Sequence, residues 1–101
     1  MDYEQQLKFD ADKLRYELVP IEAIEEIAKV LTYGADKYKP NSWQLVEPFE
    51  DRYYAAAMRH IMAWRKGESI DLESKLNHLS HALCNIMFLL WKELQDSKQS
   101  G

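Results

Sequence analysis

Apolar residues recur at three- and four-residue spacing through most of this chain, and the pattern breaks cleanly at Pro40 and Gly67. Three-and-four spacing is the signature of one face of an α-helix, because 3.6 residues make a turn. With only 3 Gly and 3 Pro in 101 residues, little else interrupts helix formation. The expected fold is therefore all-α: three main helices packed as an antiparallel bundle, preceded by an irregular N-terminal segment. The length allows one domain, taken as residues 1–101, with a small core. Three amphipathic helices of this size leave apolar stripes that one copy covers only in part, so completion by oligomerisation is expected.

The first helix starts at Pro20, whose missing N–H suits a first turn. Its inward face is expected to be Ile21, Ile24, Ile27/Ala28, Leu31 and Ala35, with Glu22, Glu25 and Glu26 near the positive end of its dipole. Gly34 weakens the helix before Lys39-Pro40-Asn41-Ser42 ends it. Residues 41–50 read as a loop carrying Trp43. The second helix runs from Phe49 to Lys66 with Asp51 as an N-cap candidate and Gly67 as the stop. On it Tyr53, Ala56/Ala57, His60, Ile61 and Trp64 share a side, with His60 read as half-buried packing. The third helix is expected from about Leu72 or Ser74 to Leu94. Its main apolar stripe is Leu76, Leu79, Leu83, Ile86, Leu90 and Leu94, beside a polar stripe of Ser74, His78, His81 and Asn85. The tail 96–101 is expected to fray. No strand is convincing.

Charge and cysteine content exclude several function classes. Lys plus Arg is 13 and Asp plus Glu is 17, a net charge of −4, so direct binding of a nucleic-acid polymer is not expected. The single cysteine, Cys84, excludes an internal disulfide and a cysteine-rich zinc site. No apolar run approaches the roughly 20 residues of a membrane span. The polar, acidic start gives no signal peptide, and the cytoplasm is the expected location.

Three constellations carry possible chemistry. His78 and His81 stand one turn apart on one face, with Asn85 a turn further on. The spacing suits two ligands of one metal, or a ligand and a phosphate contact, and equally suits polar groups at a helix interface. Glu22, Glu25 and Glu26 repel one another across one face, which a cation would relieve; a solvated acidic first turn reads the same way. Asp71 and Glu73 are further candidate ligands or capping groups. Finally, Lys13, Arg15, Lys37, Tyr38, Trp43 and Arg59 combine phosphate-holding cations with rings able to stack a base.

Taken in order, several segments resemble one family. They are Asp12-Lys13-Leu14-Arg15-Tyr16-Glu17-Leu18-Val19-Pro20, Leu31-Thr32-Tyr33-Gly34-Ala35-Asp36-Lys37-Tyr38, Arg59-His60-Ile61-Met62-Ala63-Trp64, Gly67-Glu68-Ser69-Ile70-Asp71 and His78-Leu79-Ser80-His81-Ala82-Leu83-Cys84-Asn85. The series looks like the phage and bacterial dATP/dGTP diphosphohydrolase N-terminal domain family, over about residues 8–92. That family is similar in name and expected fold to MazG-like all-α nucleoside triphosphate pyrophosphohydrolases, helical dimers or tetramers. These hold Mg²⁺ or Mn²⁺ with Glu-x-x-Glu and Glu-x-x-Asp carboxylates.

The resemblance implies a metal-dependent pyrophosphohydrolase that converts purine deoxynucleoside triphosphates to monophosphates and pyrophosphate, working as a homodimer or homotetramer in the cytoplasm of a phage-infected host. The alternative is a phage protein that binds and sequesters a nucleotide without hydrolysing it. On this reading Glu22 and Glu26 are catalytic, and Glu22, Glu26, Asp71, His78 and His81 hold metal. Lys13, Arg15, Lys37, Tyr38, Trp43 and Asn85 meet the substrate. The sequence departs from the pattern at His78-x-x-His81, where Glu-x-x-Asp is expected; imidazole suits Mn²⁺ better than Mg²⁺. Ser42 stands before Trp43 where Asn is expected.

Overall fold

The computed structural model describes residues 12–100. Three α-helices carry the fold: α1 over Ile21–Lys37, α2 over Phe49–Arg65 and α3 over His78–Ser100. Short 3-10 turns precede α1 at Tyr16–Leu18 and α2 at Ser42–Leu45. Among the described residues there is no strand, only one antiparallel bridge between Ile70 and Asn77. The all-α expectation holds. No helix among these residues is long and apolar enough to cross a membrane.

The helix ends follow local chemistry. Pro20 and Pro48 occupy the N-cap positions of α1 and α2 in extended conformation. Asp51, expected as a cap, lies inside the first turn of α2, where its charge faces the helix dipole. α1 continues through Gly34 to Lys37. Gly67 ends α2 at φ 105, a conformation that L side chains rarely adopt.

The third helix corrects two expectations. It begins at His78, because residues 71–77 form a turn in which Lys75 takes φ 65, incompatible with a right-handed helix. Residues 96–100 continue α3 instead of fraying.

The larger correction concerns which side of α3 faces in. Its buried residues are His78, Ser80, Ala82, Cys84, Asn85 and Phe88, whereas Leu79, Leu83, Ile86, Leu90 and Leu94 are 39% to 54% exposed. Ring geometry explains the choice. Trp43 stacks on Phe88 with centroids 4.2 Å apart, and meets Trp91 edge-on at 4.9 Å. Tyr53 contacts Phe88 at 4.9 Å and Phe49 at 4.8 Å. Offset stacks and edge contacts of this kind add stabilisation beyond area burial, and they fix α3 with its aromatic side inward. Small residues complete the approach: Ala57 of α2 and Ala82 and Cys84 of α3 are buried. Burial pushes the Cys84 thiol up to about 11, which keeps it protonated and unreactive.

The contacts also set direction. Phe49 and Tyr53 at the start of α2 meet Trp91 and Phe88, while His60 near its end meets His78 and His81. α2 and α3 are therefore antiparallel. α1 lies against α3 through Glu26, Ile27 and Val30.

Candidate functional site

The turn between α2 and α3 builds the site. Asp71 Oδ2 accepts hydrogen bonds from the Ser74 amide at 2.9 Å and the Ser74 hydroxyl at 2.7 Å. The backbone closes the same turn: Asp71 N–H donates to Leu76 O, and Lys75 N–H to Asp71 O, both at 2.8 Å. His78 N–H donates to Ser69 O at 2.9 Å, tying the start of α3 to the loop. The result places Ser74 Oγ 2.6 Å from His81 Nε2. The hydroxyl has one proton and gives it to Asp71, so His81 Nε2–H is the donor to Oγ. Neutral His81 then carries its lone pair on Nδ1.

His60, read from the sequence as packing, joins this group from α2. Its Nδ1 lies 2.8 Å from His78 Nδ1, and its ring stacks on His81 with centroids 4.6 Å apart and planes within 12°. His78 Nε2 in turn lies 3.5 Å from Glu68 Oε2, and His81 Nε2 3.8 Å from Asp71 Oδ2. All three histidines of the chain thus form one cluster bounded by two carboxylates and a serine. The available signal was positional: His60 is seven residues beyond Tyr53 and three beyond Ala57 on the inward face of α2. A polar ring there needs a buried partner.

The neutral imidazole is favoured at His60 and at His81. Burial lowers the pKa of His60, and the charges His81 and His78 would carry lower it further. Burial also lowers His81, opposed by the Asp71 carboxylate. Burial pulls the Asp71 carboxyl upward, but the two Ser74 bonds and the field of His81 outweigh it, leaving its pKa below the ordinary value.

Other expected residues are placed elsewhere. Glu26 joins α1 to α3: Oε1 accepts from Ser80 Oγ at 2.8 Å and Asn77 Nδ2 at 3.4 Å, and Oε2 pairs with Lys29 at 2.7 Å. The Lys29 bond first, then Ser80, lowers its pKa to about 2. Glu22 is exposed on α1 and makes no hydrogen bond or ion pair among the described residues. Lys37 pairs with Glu73, which also accepts from Tyr33 Oη at 3.1 Å. Arg15 pairs with Glu17 at 2.7 Å, and Lys13 is exposed nearby in sequence. Tyr38 is exposed with Lys37 5.4 Å from its ring centre. Trp43 is committed to the aromatic core, and buried Asn85 donates back to His81 O at 2.9 Å. Asp71, His78 and His81 are therefore the expected residues that the fold unites.

His81 Nε2 and Asp71 Oδ2 are taken up by Ser74, and His78 Nδ1 by His60. Among the described residues no group of three His, Cys, Asp or Glu side chains is arranged to hold a metal ion.

Two surface depressions flank the cluster. One, of about 570 Å³, is lined by Glu25, Lys29, Tyr33, Asp36 and Ser74, so it shares Ser74 with the His81 contact. The other, of about 630 Å³, is lined by Met58, Arg59, Met62, Ala63, Lys66 and Glu68, and shares Glu68 with the His78 contact.

The sequence matches the family described as "dATP/dGTP diphosphohydrolase, N-terminal" over residues 3–100. It is 34% identical over 85 residues to a "dATP/dGTP diphosphohydrolase" of Salmonella phage PMBT28. The match covers 84% of this chain and 29% of that relative, so the chain spans under a third of the relative's length. No solved structure matches the chain.

Proposed function

This chain belongs to the dATP/dGTP diphosphohydrolase N-terminal family, and we propose that its histidine cluster is the hydrolytic centre for a purine deoxynucleoside triphosphate. The reaction is attack of water on the α-phosphorus, breaking the bond to the bridging oxygen of the pyrophosphate. The products are the deoxynucleoside monophosphate and pyrophosphate. The observation that supports this reading is the convergence of His60, His78 and His81 with Asp71, Ser74 and Glu68 at one end of the bundle.

An imidazole acting as general base must be neutral at the working pH and have a free lone pair. Burial keeps His60 and His81 neutral. The bond from His81 Nε2 to Ser74 leaves Nδ1 free, and Asp71 sits where it favours the imidazolium that forms on proton uptake. With Glu68 accepting from His78 Nε2–H, His78 Nδ1 accepts a hydrogen bond from His60 Nδ1–H, and His60 Nε2 is left as a second base. The Asp71–Ser74 turn fixes the tautomer and orientation that this role requires.

A divalent cation, Mg²⁺ or Mn²⁺, is part of the proposal, since phosphoryl charge needs neutralising. As placed, the side chains do not converge on an ion, so no step is assigned to one. The exposed Leu79–Leu83–Ile86–Leu90–Leu94 face supports a homodimer or homotetramer, because water-facing leucines at helical spacing gain stability by burial. A nucleotide substrate would support the cytoplasm of a phage-infected host as the place of action.

The test is incubation with dATP and dGTP in Mg²⁺ or Mn²⁺, separating products by ion-exchange chromatography. Appearance of dAMP or dGMP is expected. Calorimetric binding with the triphosphate recovered intact would instead favour nucleotide sequestration.

A further inference from the structure

The cations expected to hold phosphate are largely neutralised: Lys37 is paired with Glu73 and Arg15 with Glu17. Arg59 and Lys66 differ. Both are exposed, and among the described residues neither has a carboxylate within ion-pair distance. With Met62 and Ala63 of α2 they stand at i, i+3, i+4 and i+7, one face of the helix ending at its C-cap Lys66, and all four line the 630 Å³ depression. That volume falls within the roughly 300–1,000 Å³ of small-molecule sites.

We propose that Arg59 and Lys66 receive the polyphosphate of the substrate in this depression, against the side of the histidine cluster bounded by Glu68 and His78. The identity of the anion rests on the nucleotide reading above; the site itself rests on placement.

Three features support it. Arg59 directly precedes His60 on α2, at the end of the helix that carries the cluster. Glu68, the one carboxylate of the depression, sits 3.5 Å from His78 Nε2, tying the rim to the cluster. The negative end of the α2 dipole, which would disfavour an anion, is covered: Lys66, Gly67 and Glu68 amides donate to the carbonyls of Met62, Trp64 and Ala63 at 2.9 to 3.0 Å. Arg offers a forked donor set and Lys a mobile point charge, a pair suited to a flexible chain of phosphates. The exposed Met58 and Met62 give an apolar floor.

Inorganic tripolyphosphate is the probe, titrated by calorimetry into the chain and into two double variants. Arg59→Ala/Lys66→Ala should lose at least tenfold in affinity. Arg52→Ala/Lys92→Ala, with the same change in net charge, should stay within twofold. Equal losses in both variants, or none in the first, would overturn the site. Should the first variant lose its helical circular dichroism, amide shifts of the ¹⁵N-labelled wild-type chain decide instead. Shifts centred on Arg59, Met62 and Lys66 support the proposal, and shifts confined to residues 13–15 and 37–38 overturn it. Tripolyphosphate bound at Arg59 and Lys66 without any deoxynucleotide binding would leave the site standing and remove the nucleotide reading. Deoxynucleotide turnover unchanged by Arg59→Ala/Lys66→Ala would do the reverse.

Discussion

The Nδ1 atoms of His60 and His78 face each other at 2.8 Å across the α2–α3 contact. One must hold a proton and the other a lone pair, so a single proton lies between them. His81 stacks on His60 at 4.6 Å, and a charge on His81 or His78 disfavours protonation of His60.

This coupling sets a pH dependence for stability. His60 and His81 have folded pKa values below their ordinary value of 6.5. The unfolded chain therefore binds more protons than the folded one in the window just below 6.5, and stability rises with pH there. Their contribution is fully present above 6.5 and is lost as pH falls through the depressed folded values. The thermal midpoint should be lower at pH 5 than at pH 7.5. In a His60→Gln/His81→Gln variant the difference should shrink clearly.

Replacing His60 should cost activity more than fold. His60→Gln retains a polar, hydrogen-bonding side chain but removes the titrating ring. A drop in dGTP turnover on the order of 10² is expected for loss of a proton-transfer group, with helical circular dichroism near wild type. Steady-state rates across pH 6–8 check this, and a rate within threefold of wild type would assign the ring to packing.

Ser80 should matter for stability. Its hydroxyl is buried and donates to Glu26 at 2.8 Å across the α1–α3 contact. Ser80→Ala should lower stability by about 1.5 kcal/mol, the low end for a hydrogen bond to a charged group because Glu26 is partly exposed, measured by urea unfolding. Glu26, held down to about 2, supports the contact above its ordinary value of 4.5. That support should fade as pH falls from 4.5 toward 2, and the loss should be smaller in Ser80→Ala.

The outer face of α3 should govern assembly. Leu83 and Ile86 are exposed on one side of the helix with Leu79 and Leu90. Analytical ultracentrifugation should show a dimer or tetramer for the wild-type chain and a monomer for Leu83→Lys/Ile86→Lys. A monomeric wild-type chain at all concentrations would remove the self-association reading.

The sequence made α1 and α2 legible because their limits are set locally, by Pro20, Pro48 and Gly67. The start of α3 was not, because the Asp71–Ser74 turn competes with helix only once Asp71 has its Ser74 bonds and Ser74 reaches His81. The facing of α3 was hidden for a related reason. Hydrophobic spacing favours Leu79, Leu83, Ile86 and Leu90, whereas the structure buries the side whose rings fit Trp43 and Tyr53. Polar Ser80 and His78 are tolerated inside because Glu26 and His60 supply their partners. Of the site, His78, His81 and Asp71 were readable from one segment of chain. His60 required knowing which face of α2 meets α3.

The central claim is that the histidine cluster performs the hydrolysis. It is tested most directly by following dGTP with ³¹P nuclear magnetic resonance in the presence of Mn²⁺ or Mg²⁺, using wild-type chain and His81→Gln side by side. Deoxyguanosine monophosphate and pyrophosphate should accumulate with the wild-type chain and slow by about two orders of magnitude with His81→Gln. Equal accumulation in both samples, or dGTP left intact by the wild-type chain, would contradict it.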